Sequence, residues 1–286
     1  MKPAPFAYHR PATLDEAFSL LERYGPDARL LAGGQSLVPA LNMRLATPAA
    51  LVDINRLPGL DAIVFAPEGL TIGALARQEA VLRSPLVARH APLVAQAMPQ
   101  VAHLALRTRG TVGGSLAQAD PAAELPACAV ALEAVLRVAR RGAAREIPAA
   151  RFYRGIYTTA LEPGEILTGV VIPPLAAGWR SHFSELARRH GDYALVALAA
   201  HGRIADGVIG EARLVFAGVG LTPVRAGRAE AAVSGRRPDA TTLAEAGRAL
   251  DADLDPPADI HASAALRRHL ARVLLSRALT ALAAGG

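Results

Sequence analysis

Two glycine pairs, each set between apolar residues, constrain the fold and the function of this chain more than any other feature. The first lies in "LLAGGQSLVPAL" (Leu30–Leu41) and the second in "TVGGSLAQADPAAE" (Thr111–Glu124). Because glycine accepts positive φ and has no Cβ, consecutive backbone N–H groups can converge on an anion, and a helix N-terminus adds partial positive charge. The pattern predicts two facing loops that hold a diphosphate, to which the hydroxyls of Ser36, Thr111 and Ser115 add hydrogen bonds.

Other nucleotide and hydrolase motifs do not account for these glycines. The strings "AGGQSL" and "TVGGSL" lack the G-x-G-x-x-G spacing of the usual NAD fingerprint. Lys2 is the only lysine, so the Gly-Lys-Ser/Thr ending of a P-loop does not occur. The string "GGSLA" approaches a nucleophile elbow, but Ala117 stands where the second glycine belongs.

The composition is that of a globular protein with a substantial core. The 286 residues are 52% hydrophobic, enough for one large or two smaller domains. The net charge of +6 comes from dispersed arginines, and only 4% of residues are aromatic, which disfavours nucleic-acid binding. Cys128 is the only cysteine, so this chain cannot supply four thiolates to an iron–sulfur cluster. The eight histidines lack metal-ligand spacing, and we expect no metal site.

The sequence also predicts where the protein resides. No apolar run reaches the roughly 20 residues of a membrane-spanning helix. The amino terminus, "MKPAPFAYHRPATLDEA", has no apolar segment typical of a signal peptide. We therefore expect no membrane span and a cytoplasmic location.

Periodicity predicts a compact strand–helix–strand unit before residue 56. Thr13 and Glu16 form a capping box at the start of a first helix. After it, "ARLLAG" is typical of a strand, "SLVPALNMRLA" of a helix and "ALVDI" of a second strand. Further strands are predicted around Ile63, Leu70–Ile72, Val135–Val138 and Ile166–Ile172, and further helices over Ala76–Leu82 and Leu86–Met98.

A proline pair and a glycine in "IPPLAAGW" (Ile172–Trp179) mark the best domain boundary. Beyond it, "SHFSELARR", "YALVALAAHGRI" and "EARLVFAGVG" alternate as in an antiparallel meander. Helical patterns follow and end in one long amphipathic helix. We expect a first domain over 1–176, with subdomains of about 1–56 and 57–176, and a second over 177–286.

Taken together, these motifs resemble the flavin-binding medium subunit of molybdenum hydroxylases of the carbon monoxide dehydrogenase and xanthine dehydrogenase type. The likeness covers nearly the whole chain, through "FAYHRPATLDEAFSLL", "LAGGQSL", "LVDINRL", "IGALAR", "RTRGTVGGSLAQADPAAELPA", "GEILTGVVIP" and "RRHGDYALV". The resemblance implies an α+β protein. It has an FAD-binding PCMH-type domain, similar to vanillyl-alcohol oxidase and built of two subdomains, followed by a C-terminal domain with a small antiparallel sheet and helices.

The resemblance also assigns candidate FAD-binding residues. Glu124 stands where the family usually has an aspartate that contacts the ribitol or adenosine part, although a first-turn helix acid is the alternative. Leu167 matches a residue near the adenine or flavin and Tyr193 a flavin-side aromatic, with plain packing as the alternative for both. The predicted set is Leu31, Ala32, Gly33, Gly34, Gln35, Ser36, Leu37, Thr111, Val112, Gly113, Gly114, Ser115, Asp120, Glu124, Leu167 and Tyr193.

One segment departs from the family pattern. Similar subunits often carry a lysine near the flavin, shortly before an arginine pair. Here those places are held by Ser184, Glu185 and Leu186. The positive charge could come from Arg188 or Arg189, with a solvated basic pair as the alternative.

The implied function is electron transfer through FAD within a larger complex. Substrate would be hydroxylated at a molybdopterin cofactor on a large subunit, and [2Fe-2S] clusters on a small subunit would pass electrons to this FAD and on to an external acceptor other than NAD. No catalytic acid or base is expected on this chain. We expect a dimer of heterotrimers. The alternatives are a self-contained flavin oxidoreductase and a flavin-free assembly subunit. Substrate selection on the large subunit leaves the substrate open.

Overall fold

A small parallel sheet forms the first part of the structure, a computed structural model that describes residues 2–284. Thr13 caps the first helix by accepting the Glu16 N–H at 3.2 Å, as the capping box predicts. The predicted strand–helix–strand unit is present, and a three-residue strand not predicted from the sequence completes the sheet in the order β1-β3-β2. The elements are β1 (Ala7–His9), α1 (Leu14–Tyr24), β2 (Ala28–Leu31), α2 (Leu37–Asn42) and β3 (Ala50–Asp53).

A five-stranded antiparallel sheet with short helices follows. The helix predicted over Leu86–Met98 is two helices, because Ala91 leaves the helical region and Pro92 begins a new helix. The elements are β4 (Ile63–Ala66), β5 (Gly69–Gly73), α3 (Gln78–Leu82), α4 (Pro85–His90), α5 (Pro92–Ala97), α6 (Leu104–Arg107), α7 (Val112–Gln118), α8 (Glu124–Ala131), β6 (Val135–Arg140), β7 (Ala143–Pro148), α9 (Ala149–Phe152), β8 (Tyr153–Gly155), β9 (Thr158–Thr159) and β10 (Ile166–Ile172). The sheet order is β4-β5-β10-β6-β7.

The rest of the chain forms the predicted antiparallel meander and a helical layer. The strands lie in the order β11-β12-β13-β14. The elements are β11 (Trp179–Ala187), β12 (Ala194–Ala205), β13 (Val208–Ala217), β14 (Val224–Arg225), α10 (Gly227–Val233), α11 (Ala240–Leu250) and α12 (Ala264–Ala284).

Alternation along β12 places this meander between two cores. Ala197 and Ala199 face the core that contains α5, α8 and the five-stranded sheet. Leu198 and Ala200 face the core formed with the helices α10 to α12. One face of the meander thus packs against α5, α8 and the five-stranded sheet, and the other face packs against α10 to α12. No helix within residues 2–284 is both long and apolar enough to cross a membrane.

Candidate functional site

A cleft of about 1100 Å³ brings the two glycine loops together. It is lined by the loop after β2, the start of α7 and α8, part of β10 and the turn before β12. Fourteen of the sixteen predicted residues line it. They are Ala32, Gly33, Gly34, Gln35, Ser36, Leu37, Thr111, Gly113, Gly114, Ser115, Asp120, Glu124, Leu167 and Tyr193.

The first glycine loop, residues 33–37, presents free backbone donors. Two of its carbonyls bond to nearby residues of the same segment. The Gly33 oxygen accepts from Gln35 Nε2 at 2.9 Å, and the Gly34 oxygen accepts from the Val38 N–H at 2.9 Å. Gly34 has a φ of +73°, which glycine adopts without strain. Within the part of the chain that the structure describes, none of the five N–H groups from 33 to 37 has an acceptor, and the Ser36 hydroxyl does not cap α2. This loop is a ready anion site.

In the second glycine loop, residues 111–115, the backbone N–H groups bond within the protein. The expectation of free amides here is wrong, because every N–H from 112 to 115 already has a protein acceptor. The hydroxyl of Thr111 serves as the N-cap of α7. The donor–acceptor pairs are Val112 N to Ala76 O (3.0 Å), Gly113 N to Ala74 O (2.8 Å), Gly114 N to Thr111 Oγ1 (3.0 Å) and Ser115 N to Thr111 O (3.1 Å).

Close packing explains the glycine in each loop. A Cβ on Gly113 would lie 2.5 Å from the Cβ of Ala74, so α7 could not dock where it does. A Cβ on Gly33 would lie 2.6 Å from the carbonyl oxygen of Arg109 and 2.8 Å from the Cα of Gly110. The first loop therefore touches the backbone of the two residues just before the second loop, and the missing side chains set the width of the groove there.

Acidic side chains line the cleft beyond the loops. Glu124 is the first residue of α8 and only 9% exposed. Burial, with the charge of Asp120 beside it, raises the pKa of Glu124 to about 7. Asp120 accepts from the Ala122 N–H at 2.9 Å and from the Tyr157 hydroxyl at 3.4 Å. Oriented carboxyl groups of this kind suit hydroxyl donors on a ligand.

The remaining predicted residues divide between cleft and core. Leu167 is 5% exposed and lines the cleft from β10, while Tyr193 is 67% exposed. Leu31 and Val112 are not among the lining residues; Val112 is 2% exposed and belongs to the core.

Neither arginine replaces the missing lysine inside the cleft. The guanidinium groups of Arg188 and Arg189 lie 2.9 and 3.6 Å from the carboxylate of Asp192. Arg188 lines a smaller neighbouring cavity of about 390 Å³. Neither arginine is among the residues that line the main cleft.

Sequence reasoning missed the polar residues behind the loops. Asn55 and Arg77 each donate to a backbone carbonyl just before one of the loops, and Gln78 is 7% exposed and lines the cleft. The string "LVDINRL" contains Asn55, so part of the signal was present without an assigned role.

The single thiol of the chain lies away from solvent. Cys128 on α8 is completely buried, and this burial raises its pKa. Across residues 2–284, the structure brings together no group of three or more histidine, cysteine, aspartate or glutamate side chains able to hold a metal ion.

Comparison with known families matches nearly the whole chain. Residues 4–175 match the family described as the FAD binding domain in molybdopterin dehydrogenase. Residues 181–282 match the CO dehydrogenase flavoprotein C-terminal domain.

Individual relatives agree with the family matches. The 6-hydroxypseudooxynicotine dehydrogenase complex subunit alpha of Paenarthrobacter nicotinovorans is 37% identical over 280 residues, covering 98% of this chain and 95% of the relative. Quinoline 2-oxidoreductase from Pseudomonas putida 86 superposes with a TM-score of 0.95 at 39% identity, covering 100% of this chain and 99% of the other.

A third likeness is to carbon monoxide dehydrogenase from Hydrogenophaga pseudoflava, in a structure that lacks the Mo-pyranopterin moiety of the molybdenum cofactor. Its TM-score is 0.96 at 36% identity, with 99% of each chain covered. The predicted α+β fold, with an FAD-binding domain and a C-terminal domain carrying an antiparallel sheet, is confirmed. The chain belongs to the family of FAD-binding medium subunits of molybdenum hydroxylases.

Proposed function

We propose that the cleft holds one FAD noncovalently, with its diphosphate against the first loop. The observation that carries this proposal is the row of five backbone N–H groups from 33 to 37 that have no acceptor in the described chain. A diphosphate supplies the negative oxygens that such donors need. The second loop then serves as the opposite wall, with Thr111 and Ser115 as side-chain donors.

The chemistry of the cleft fits the other parts of FAD. Its volume of about 1100 Å³ lies just above the range of ordinary ligand pockets, which suits a long dinucleotide. Asp120 and Glu124 would accept hydrogen bonds from ribityl or ribose hydroxyls. Leu167 would pack against one ring system, and Tyr193 would stand beside the isoalloxazine.

The work of this chain is binding and orientation. When bound, the isoalloxazine supplies the ability to take up and release electrons singly or in pairs. The loops would hold the diphosphate, and Leu167 with Tyr193 would fix the plane of the ring. No side chain of this chain is proposed as a catalytic acid or base.

The partners follow from what this chain lacks. With one cysteine, and that one buried, four cluster thiolates must come from another chain. We infer a small subunit with [2Fe-2S] clusters as electron donor and a large subunit with the molybdopterin cofactor. A dimer of such heterotrimers, a cytoplasmic location and an acceptor other than NAD complete the proposal.

The domain organisation is part of the same proposal. The chain leaves the five-stranded sheet at Ile172 and enters the meander at Trp179. We therefore assign 1–176 to the FAD-binding domain, with subdomains of about 1–56 and 57–176, and 177–286 to the C-terminal domain.

The experiment compares this chain alone with the chain co-purified with its two partners. Substrate should bleach the flavin only in the complete complex, because electrons must cross from the partner clusters. NADH should not form at a saturable rate. Substrate-driven bleaching in the isolated chain would contradict the proposal and favour the self-contained oxidoreductase. A colourless chain that still assembles would favour the flavin-free assembly subunit.

A further inference from the structure

Asn55, just after β3, holds the start of the first glycine loop from behind. Its Nδ2 donates to the carbonyl oxygen of Ala32 at 2.8 Å. The same nitrogen donates to Asp53 Oδ1 at 2.6 Å, and the Asn55 N–H donates to that oxygen at 3.0 Å. These bonds leave the Asn55 amide one orientation, with its oxygen free to accept.

Arg77 connects that amide to the backbone just before the second loop. Its Nη2 donates to Asn55 Oδ1 at 2.7 Å, and its Nη1 donates to the carbonyl oxygen of Arg109. This carbonyl oxygen is the atom that would lie 2.6 Å from a Cβ on Gly33. One guanidinium group and one amide therefore join the backbone segments that lead into the two loops, at their point of contact.

The geometry of the peptide bond links these contacts to the cleft. In a trans peptide the C=O and the following N–H point in opposite directions, and the described chain contains no cis peptide. The Ala32 carbonyl points at Asn55, so the Gly33 N–H points away from Asn55. Gly33 lines the cleft, and its N–H has no acceptor among residues 2–284. The direction of the first free donor is thus set by Asn55.

Asp53 anchors this arrangement to the sheet. It is 7% exposed and accepts from the Tyr8 hydroxyl as well as from Asn55. Burial opposes the charge of Asp53, but the hydrogen bonds from Tyr8 and Asn55 outweigh it and hold its pKa below the usual value. A carboxylate in this place keeps the Asn55 nitrogen as a donor, which fixes the assignment of its amide.

We propose that Asn55 and Arg77 are positioning residues that set the gap between the two glycine loops and aim the Gly33 N–H at the bound diphosphate. Neither residue lines the cleft, so both act through the backbone. The inference rests on the proposed placement of FAD.

The first test is Asn55→Asp in the full chain, which keeps the shape and the acceptor for Arg77 but removes the Nδ2 donors. Asn42→Asp is the matched control, because Asn42 is exposed at the end of α2 and its side chain makes no hydrogen bond to any residue that the structure describes. Equilibrium dialysis of the flavin-depleted chain should give a Kd for FAD at least tenfold higher for Asn55→Asp, and within twofold of the parent for Asn42→Asp.

Hydrogen exchange of the flavin-free chain separates positioning from general damage. Asn55→Asp should speed exchange at amides 33–37 and around 109–110, with β11 to β13 unchanged. Arg77→Lys is the second variant, for the case that Asn55→Asp does not fold. It keeps the charge but loses the fork that reaches two acceptors, so the same local change is expected.

Two results would overturn the inference. One is an unchanged Kd for FAD in both variants, and the other is unchanged exchange at both loops. Failure of the proposed function has a different signature, since the parent chain would then bind no FAD while exchange in the two loops still responded to Asn55→Asp.

Discussion

The loop after β2 and the N-terminal turn of α7 carry nearly the same residues, yet their backbone N–H groups have different partners. The first offers five N–H groups without an acceptor in the described chain. The second has all four N–H groups of residues 112–115 paired within the protein. A glycine pair followed by a hydroxyl residue therefore predicts a loop that tolerates close approach, and only the surroundings decide whether its amides remain available.

The two loops differ in the backbone carbonyls that lie beside them. The second loop runs beside Ala74 and Ala76, which follow β5 and supply carbonyl oxygens to Val112 and Gly113. The first loop leaves β2 at the edge of the cleft, and its own carbonyls turn toward Gln35 and α2. One loop is held by backbone pairing, and the other faces the space in which a ligand lies.

Gly33→Ala gives the largest expected effect. The new Cβ would meet the backbone of Arg109 and Gly110 at 2.6 and 2.8 Å, so the loops must separate. We expect the purified chain to retain no FAD, measured as flavin absorbance per chain. Gly227→Ala is the control, since a Cβ there has no neighbour within 4 Å. A folded Gly33→Ala protein that retains a full complement of FAD would contradict the role given to this close contact.

The burial of Glu124, which follows the second loop, should make the free energy of unfolding depend on pH. Its pKa of about 7 lies above the usual value of about 4.3 for glutamate, so between these limits the folded chain keeps a proton that the unfolded chain loses. The free energy of unfolding therefore falls as pH rises through this window and levels off above it. Relative to the parent, Glu124→Gln should gain about 3 kcal/mol between pH 4 and pH 8.

Urea unfolding of the flavin-free chain at several pH values measures this gain. Glu68→Gln is the control, because Glu68 is exposed and forms no ion pair with any residue from 2 to 284. A gain that stays constant with pH would mean that Glu124 is ionised as readily in the folded chain as in the unfolded one.

Gly113→Ala should act mainly on stability. The added methyl would overlap Ala74 and push α7 away, and overpacking of this kind costs about 1 to 3 kcal/mol. We expect a lower free energy of unfolding in urea even without flavin. Unchanged stability together with complete loss of FAD would instead assign to the second loop the role that we give to the first.

The two hydroxyls give the finest comparison. The Ser36 hydroxyl has no hydrogen bond in the described chain, whereas Thr111 caps α7. Ser36→Ala should raise the Kd for FAD about tenfold, as expected for one lost bond to a charged group, and leave stability unchanged. Thr111→Ala should cost about 1 kcal/mol of stability through the lost cap, in addition to the FAD affinity lost with its hydroxyl donor. A loss of stability in Ser36→Ala, with none in Thr111→Ala, would reverse our assignment.

Local periodicity predicted much of the fold. The strand–helix–strand unit, the antiparallel meander and the final helix follow from patterns within each segment. The strand β1 did not, because three residues form a strand only by pairing with β3. The break at Ala91 was missed although Pro92 is a local signal for it, because the apolar pattern continues across it.

Most residues of the candidate site were predictable from the sequence, but the contacts that hold them in place were not. Both glycine loops were found because glycine is readable in a sequence, and fourteen of the sixteen predicted residues line one cleft. The pairing of the Gly113 amide depends on the distant residue Ala74, and the bonds of Asn55 depend on Ala32 and Arg77. Such long-range contacts are fixed by tertiary structure and leave no local pattern.

The most direct test of the account is residue-resolved amide exchange of the chain with and without FAD. We predict that FAD slows exchange strongly at the amides of residues 33–37, which become donors to the diphosphate. The amides of residues 112–115 should already be slow without flavin and change little. Strong new protection at residues 112–115, with none at 33–37, would contradict the central claim that the first loop alone supplies the backbone donors.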